Sequence, residues 1–121
     1  MAKKKAGKDS RTVVGLTEYI TLIGEKNRRK KVKAKIDTGA DKSSIDLKLA
    51  ADLKLGPVVK TRLIKSASGS LVRPIIRSKV LFAKREMDVY FTMADRAHMK
   101  YRVLIGKNIL KRGFLIDPSK D

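Results

Sequence analysis

A small, mainly β domain, a barrel or mixed sheet, is the fold this sequence predicts, and three observations predict it. Short runs rich in β-branched and aromatic residues recur along the chain, with turn-forming residues between them. Helical spacing is clear in one place, where Ile45, Leu49 and Leu53 fall at four-residue steps, and returns briefly near the C-terminus. The length of 121 residues, 42% of them hydrophobic, suits one domain with a modest core.

The elements follow in order. Val13 to Ile23 carries Val13, Val14, Thr17, Tyr19, Ile20, Thr21 and Ile23 and predicts a strand. Gly24-Glu25-Lys26-Asn27 supplies turn chemistry. Lys31 to Ile36 alternates, with Val32, Ala34 and Ile36 on one face and Lys31, Lys33 and Lys35 on the other. The two strands form a hairpin that delivers the chain to Asp37. After Asp41 the period changes. Ser43, with an acid three residues on at Asp46, reads as an N-cap for a helix of about ten residues that Gly56-Pro57 stops. Val58 to Lys65 is a further strand, Ser66 to Ser70 a small, polar hairpin tip, and Leu71-Val72 with Ile75 to Phe82 the return. Pro74 has no N–H for a ladder and belongs at an edge or a bulge. Lys84-Arg85-Glu86 reads as a turn, and Met87 to Met93 as a half-buried strand. A polar excursion from Ala94 to Lys100 leads to a short buried strand, Val103 to Ile105. One or two helical turns at Asn108 to Gly113 and a last strand, Phe114 to Ile116, complete the chain.

Composition narrows the function classes. The net charge is +18, of which residues 1–11 supply only +4, so +14 belongs to residues 12–121. Residues 1–11 read as a basic flexible arm and 12–121 as the domain. A field of this sign attracts polyanions such as nucleic acid, anionic lipid or acidic polypeptide. Seven of the ten residues from Lys26 to Lys35 are basic, which reads as the solvated outer face of the hairpin, with a dedicated anion site as the alternative. Aromatics make up 5% and Trp is absent, which argues against a base-stacking platform. There is no cysteine, and His98 stands alone, so neither thiol chemistry nor a catalytic zinc centre has its ligands; no metal or cofactor is expected. No Gly-rich Lys-Ser/Thr loop for ATP is present. No apolar run reaches membrane-spanning length and the N-terminus lacks a secretory pattern, so a cytoplasmic location away from membranes is expected.

The chemistry-bearing stretch is Lys35-Ile36-Asp37-Thr38-Gly39-Ala40-Asp41. It reads as a strand delivering one carboxylate into a tight loop, with Gly39 free to offer its N–H to that carboxylate. An ordinary Asp-Gly turn is the plain alternative. Two further segments add weight: Ser66-Ala67-Ser68-Gly69-Ser70 between strands, and Val103-Leu104-Ile105-Gly106-Lys107-Asn108-Ile109-Leu110. In order and spacing the three resemble the catalytic loop, flap and pre-helical segment of retropepsin-like aspartic proteases. The likeness runs over roughly residues 14–118. It is strongest to the prokaryotic family labelled ATP-dependent zinc proteases, which accompanies glutamate-adding ATP-grasp ligases. Arg73-Pro74 and Asp95-Arg96 followed by Met99 are similar to that family too.

The resemblance implies a closed retropepsin-like β-barrel with a short helix after the catalytic loop and a C-terminal helix. It implies an aspartic-type endopeptidase in which Asp37 from each subunit of a homodimer activates a water against a peptide bond. One carboxylate would be ionised and the other protonated, because two neighbouring acids do not both ionise easily. It further implies that Thr38 locks the two loops across the two-fold axis and that Gly39 supports the carboxylate. Ala40 and Asp41 would line the substrate cleft, and Ser68 and Gly69 would form the flap tip. Lys107 stands where the family usually has Arg, and would brace Asp41 without a planar fork. The expected partners are a second copy and a peptide or protein substrate, with acidic peptides favoured by the basic charge. The alternative is a catalytically silent basic module of the same fold that binds RNA, ribosome or acidic protein.

Overall fold

The structure is a computed structural model that describes residues 10–121; residues 1–9 of the expected basic arm lie outside the described residues. Among the described residues the chain forms nine strands and two α-helices: β1 Thr12–Val14, β2 Thr17–Ile23, β3 Arg29–Ile36, β4 Ser43–Asp46, α1 Leu47–Leu53, β5 Val58–Ser66, β6 Gly69–Phe82, β7 Arg85–Ala94, β8 Val103–Ile105, α2 Lys107–Leu110 and β9 Phe114–Ile116. The main sheet runs β2-β3-β8-β4-β7-β6-β5, and β2 also pairs with β6. That last pairing, Ile20–Ile23 against Lys79–Phe82, closes β2, β3, β8, β4, β7 and β6 into a six-stranded barrel. Closure leaves β5 on the outside, held by β6 alone. The protein is mainly β, as its sequence predicts.

Alternation fills the barrel. Ala34 and Ile36 point inward from β3 while Lys31, Lys33 and Lys35 are exposed. Ile20, Leu22, Ile45, Ile76, Val80, Phe82, Phe91, Val103 and Ile105 are all almost completely buried. Each such side chain contributes about 1.5–3 kcal/mol by leaving water. Phe82 meets Phe114 with ring centroids 5.1 Å apart, and the Arg85 guanidinium covers the Phe114 ring at 4.6 Å. β1 and β9, near the two ends of the described chain, pair with each other in parallel, Thr12 opposite Phe114 through Val14 opposite Ile116.

Four local expectations are corrected. The strand expected from Val13 to Ile23 breaks at Gly15 and Leu16. Leu16 N–H donates to Lys120 O at 2.9 Å, and a Cβ on Gly15 would lie 2.6 Å from that same oxygen, so the C-terminal segment replaces a ladder there. Ser43 is a buried strand residue, not a helix cap. β4 pairs with β7 on one side and β8 on the other, and those two ladders override the local capping pattern. The cap passes to Asp46, which accepts from Leu49 N–H. The turn expected at Lys84-Arg85-Glu86 is the two-residue pair Ala83-Lys84, both at positive φ (50° and 66°), leaving Arg85 and Glu86 in β7. Finally, α2 begins at Lys107, one residue before the expected helix, and ends at Leu110.

Pro74 sits in β6 opposite Thr61, where β6 has only β5 beside it; the β7 pairing starts at Ile75. Its missing N–H therefore breaks no ladder in the barrel wall. Beyond that point β5 and β6 continue as a free two-stranded ribbon to the tip at Ala67-Ser68.

Candidate active site

The loop after β3 is built from the barrel outward. β3 runs parallel to β8, with Ile36 opposite Ile105. Asp37 N–H continues that ladder by donating to Ile105 O at 2.9 Å. The chain then turns on itself: Ala40 N–H donates to Asp37 O at 3.3 Å, and Gly39 N–H donates to Asp37 Oδ1 at 2.9 Å. The Asp37 side chain is half-buried, while Thr38 and Gly39 are exposed. One carboxylate oxygen is thus fixed by the loop, and among the described residues no hydrogen bond holds the other.

The far side of the loop is clamped to the start of α2. Lys107 N–H donates to Ala40 O at 2.8 Å and Asn108 N–H to Asp41 O at 3.1 Å. Ser43 Oγ accepts from Gly106 N–H at 2.9 Å and donates to Asn108 Oδ1 at 2.7 Å, and Asn108 Nδ2 donates to Tyr90 O at 3.1 Å. Gly106 is required by close approach: a Cβ there would collide with the Lys42 carbonyl oxygen and lie 2.8 Å from Ala40 O. Side chains join the same clamp, with Lys107 Nζ 3.0 Å from Asp41 Oδ1. The hydrogen bond and charge of Lys107 hold the Asp41 carboxyl below its ordinary pKa, helped by Lys42 and Arg62.

Of the residues singled out in the sequence, Asp37 to Asp41 and Lys107 are brought into one cluster. Ser68 and Gly69 are placed elsewhere, at the end of the β5–β6 ribbon, where Gly69 adopts φ +128°. The ribbon carries residues to which sequence reasoning gave no role. Arg62 lies opposite Arg73, and Lys60 opposite Ile75, so these share one face of the ribbon. Arg62 adds the smallest of the charge effects that lower the Asp41 pKa. Arg73 Nε is buried without a hydrogen-bond partner among the described residues. A cavity of about 300 Å³ opens at the base of the ribbon, lined by Lys42, Lys60, Ile75, Tyr90, Phe91 and Asn108 among others. Two guanidiniums opposite each other in a sheet repel. The sequence signal for them was the Arg73-Pro74 pair; that Arg62 lies across from it depends on the hairpin register. His98 is exposed after β7.

Arg96 is a second residue the sequence did not assign. Its backbone N–H donates to Asp46 Oδ1 at 2.8 Å and its Nε–H to Tyr101 O at 3.1 Å. Burial pulls the guanidinium below its ordinary pKa, opposed by the nearby carboxylates of Asp46 and Asp37. Asp46 itself is 2% exposed, with both oxygens occupied by backbone N–H groups.

A closed six-stranded barrel with a ribbon projecting beside an Asp-Thr-Gly loop defines the class: a retropepsin-like fold. Residues 48–121 match the RimB-like family, described as retropepsin-like aspartic endopeptidase RimB, and the chain belongs to that family. The matched stretch takes in the ribbon and the Gly106–Asn108 clamp and begins after Asp41. A relative from Desulfotalea psychrophila, named "Probable alpha-L-glutamate ligase", is 34% identical over 64 residues, which is 52% of this chain; the chain spans 14% of that protein's length. Among solved structures, a Legionella pneumophila protein of unknown function, Lpg0085, is similar with TM-score 0.62 and 19% identity, covering 90% of this chain and 94% of the other. The simian foamy virus protease has TM-score 0.60 and 16% identity, covering 78% and 91%. At these identities the two structures share the fold. No helix among the described residues is long and apolar enough to cross a membrane.

Proposed function

We propose that two copies of this chain form an aspartic endopeptidase whose cleft favours acidic peptides. The observation that carries the reading is the Asp37 carboxylate. It is half-buried, one oxygen is fixed by Gly39 N–H, and no hydrogen bond among the described residues holds the other. A single chain supplies one such acid, so a second copy provides the other on a two-fold axis. The ionised Asp37 accepts a proton from water as the water oxygen bonds to the peptide carbonyl carbon. The protonated Asp37 of the second copy gives its proton to the carbonyl oxygen. On collapse of the gem-diol the C–N bond breaks; one of its hydroxyls returns a proton to the carboxylate that had given one as the C=O re-forms, the leaving nitrogen takes the proton that the other carboxylate took from water, and the dyad is left with one shared proton. Thr38, next to the acid, bonds across the axis to its copy in the second chain. Asp41, braced by Lys107, lines the cleft with Ala40, and the ribbon with Ser68 and Gly69 at its tip closes over the peptide.

The acidic preference is supported by Lys42 and Lys60, which line the cavity, and by Arg62 and Arg73 on the ribbon face beside it, with Arg73 Nε lacking a hydrogen-bond partner among the described residues. A substrate carboxylate supplies what that donor lacks.

The experiment is a cleavage assay on oligoglutamate-containing and neutral peptides at low ionic strength, with mass in solution measured in parallel. Asp37→Asn is expected to lose cleavage while keeping the fold and the mass. Full activity in that variant removes the catalytic reading. Arg73→Met is expected to lower kcat/KM on the acidic peptide at least tenfold and leave the neutral one within twofold. Equal effects on both peptides remove the acidic preference alone.

A further inference from the structure

The outer face of the β2–β3 hairpin carries a row of cations that the cleft does not use. Arg29, Lys31 and Lys33 are exposed and alternate with inward or edge positions along β3, so their side chains share one face. Consecutive members are about 7 Å apart along the strand. Across the ladder they face Ile23, Thr21 and Tyr19, none of which is acidic. Among the described residues none of the three is ion-paired to a carboxylate; the Arg29 Nε–H donates to Asn27 Oδ1. The acids nearby are otherwise engaged or lie at the margins, Glu25 among them in the turn that precedes Arg29. Glu18 is opposite Ala34, on the other face, and ion-pairs with Lys120. Glu86 and Asp88 stand beyond β6, Glu86 paired with Lys79. Asp121 accepts from Thr17 Oγ1 beside Lys35, and so bounds the row at its loop end.

At the Lys33 end of the row is Tyr19, 55% exposed, with Lys31 Nζ 5.0 Å and Lys33 Nζ 5.8 Å from the ring centroid. An exposed aromatic ring amid unneutralised cations is an unfavourable arrangement for a surface with no ligand, because the charges repel one another. It is the arrangement that a single-stranded nucleic acid uses, with phosphates on the cations and a base on the ring. An exposed cation–π contact is weaker than base–aromatic stacking, so a base can displace a lysine from the ring.

From this geometry we infer that the face formed by Arg29, Lys31, Lys33 and Tyr19 is a binding site for single-stranded RNA, separate from the cleft and independent of whether Asp37 is catalytic. The row spacing of about 7 Å is of the order of the separation between neighbouring phosphates on an extended strand. An acidic peptide in extended form could match the charges, but it has no use for the ring; that distinction favours nucleic acid.

The test is fluorescence anisotropy of the full chain with a labelled oligoadenylate of about 12 nucleotides, a length that spans one such site. Duplex RNA and oligoglutamate serve as competitors, across a salt series. Replacing Arg29, Lys31 and Lys33 by Gln is expected to reduce the slope of log K against log salt by about 2, at roughly 0.7 per phosphate contact. Removing Lys48, Lys54 and Lys111 instead, all outside the face, is expected to leave the slope within about 0.5 of the parent. Tyr19→Leu is expected to weaken binding roughly tenfold and Tyr19→Phe to restore it. Circular dichroism establishes that each variant is folded. Equal loss in the two triple variants reduces the effect to diffuse charge and overturns the site. Tighter binding of oligoglutamate or duplex, or an unchanged affinity in Tyr19→Leu, also overturns it.

Discussion

Ser43→Ala tests whether the loop and α2 are joined by a buried relay. The Ser43 side chain is fully buried and stands between two groups: it accepts from Gly106 N–H at 2.9 Å and donates to Asn108 Oδ1 at 2.7 Å. Alanine removes both bonds and leaves a buried backbone donor without an acceptor. The lost bond to Asn108 is worth about 1 kcal/mol, and the orphaned amide about 1–3 kcal/mol, so the expected loss is about 2–4 kcal/mol. For a chain of this size that lowers Tm by roughly 8–16 °C. Asn108→Ala is the control: it removes the second bond and the bond to Tyr90 O, but Gly106 N–H keeps its acceptor. It is expected to cost about 1 kcal/mol, since Asn108 is only partly buried. Urea unfolding of the two variants and the parent gives the comparison. A Ser43→Ala loss below about 0.5 kcal/mol, or a larger loss for Asn108→Ala, refutes the relay, because the orphaned amide would then carry no penalty.

Gly106→Ala is expected to lose at least 3 kcal/mol of stability in the same assay, because the new methyl meets two backbone carbonyls, those of Lys42 and Ala40, neither of which can swing away as a side chain would. Asp46→Ala, which empties the α1 cap and the acceptor for Arg96 N–H at once, is expected to lose about 2–3 kcal/mol; an effect within about 0.5 kcal/mol of the parent in urea unfolding counts against that dual role. Lys107→Gln is expected to raise the titration midpoint of Asp41 followed by NMR, since Lys107 is the main cause of its depressed pKa. The sign follows: with the folded pKa below the ordinary 3.8, the Asp41–Lys107 contribution is present above that value and fades as pH falls through the depressed folded value. An unmoved midpoint in the variant refutes the assignment.

Much of this protein is legible before folding. The alternation of Val32, Ala34 and Ile36 with three lysines places β3 and its faces without any partner strand. The small residues from Ser66 to Ser70 place a hairpin end. Asp37, Thr38 and Gly39 announce a loop with a carboxylate in it. The misreadings share a cause. Ser43 looks like a cap because the capping pattern is local, yet it stands in the ladder with β7, opposite Phe91, and its neighbours Ser44 and Ile45 pair with β8, strands whose sequences lie far along the chain. Gly15 looks like a minor interruption in a strand until Lys120 is seen against it. Ala83-Lys84 carries none of the Asn or Gly that marks a turn with positive φ, so the hairpin register had to set it.

The chain by itself determines the faces of its strands, the place of its one conspicuous acid loop and the sign of its field, because side-chain alternation, turn chemistry and charge are properties of neighbours in sequence. The tertiary structure alone decides that the barrel closes through β2 and β6, that Arg62 stands opposite Arg73, and that Tyr19 lies open among cations. Those facts depend on register and on contacts between residues as far apart as Ser43 and Asn108, and no local pattern encodes which distant strand will satisfy a given backbone edge.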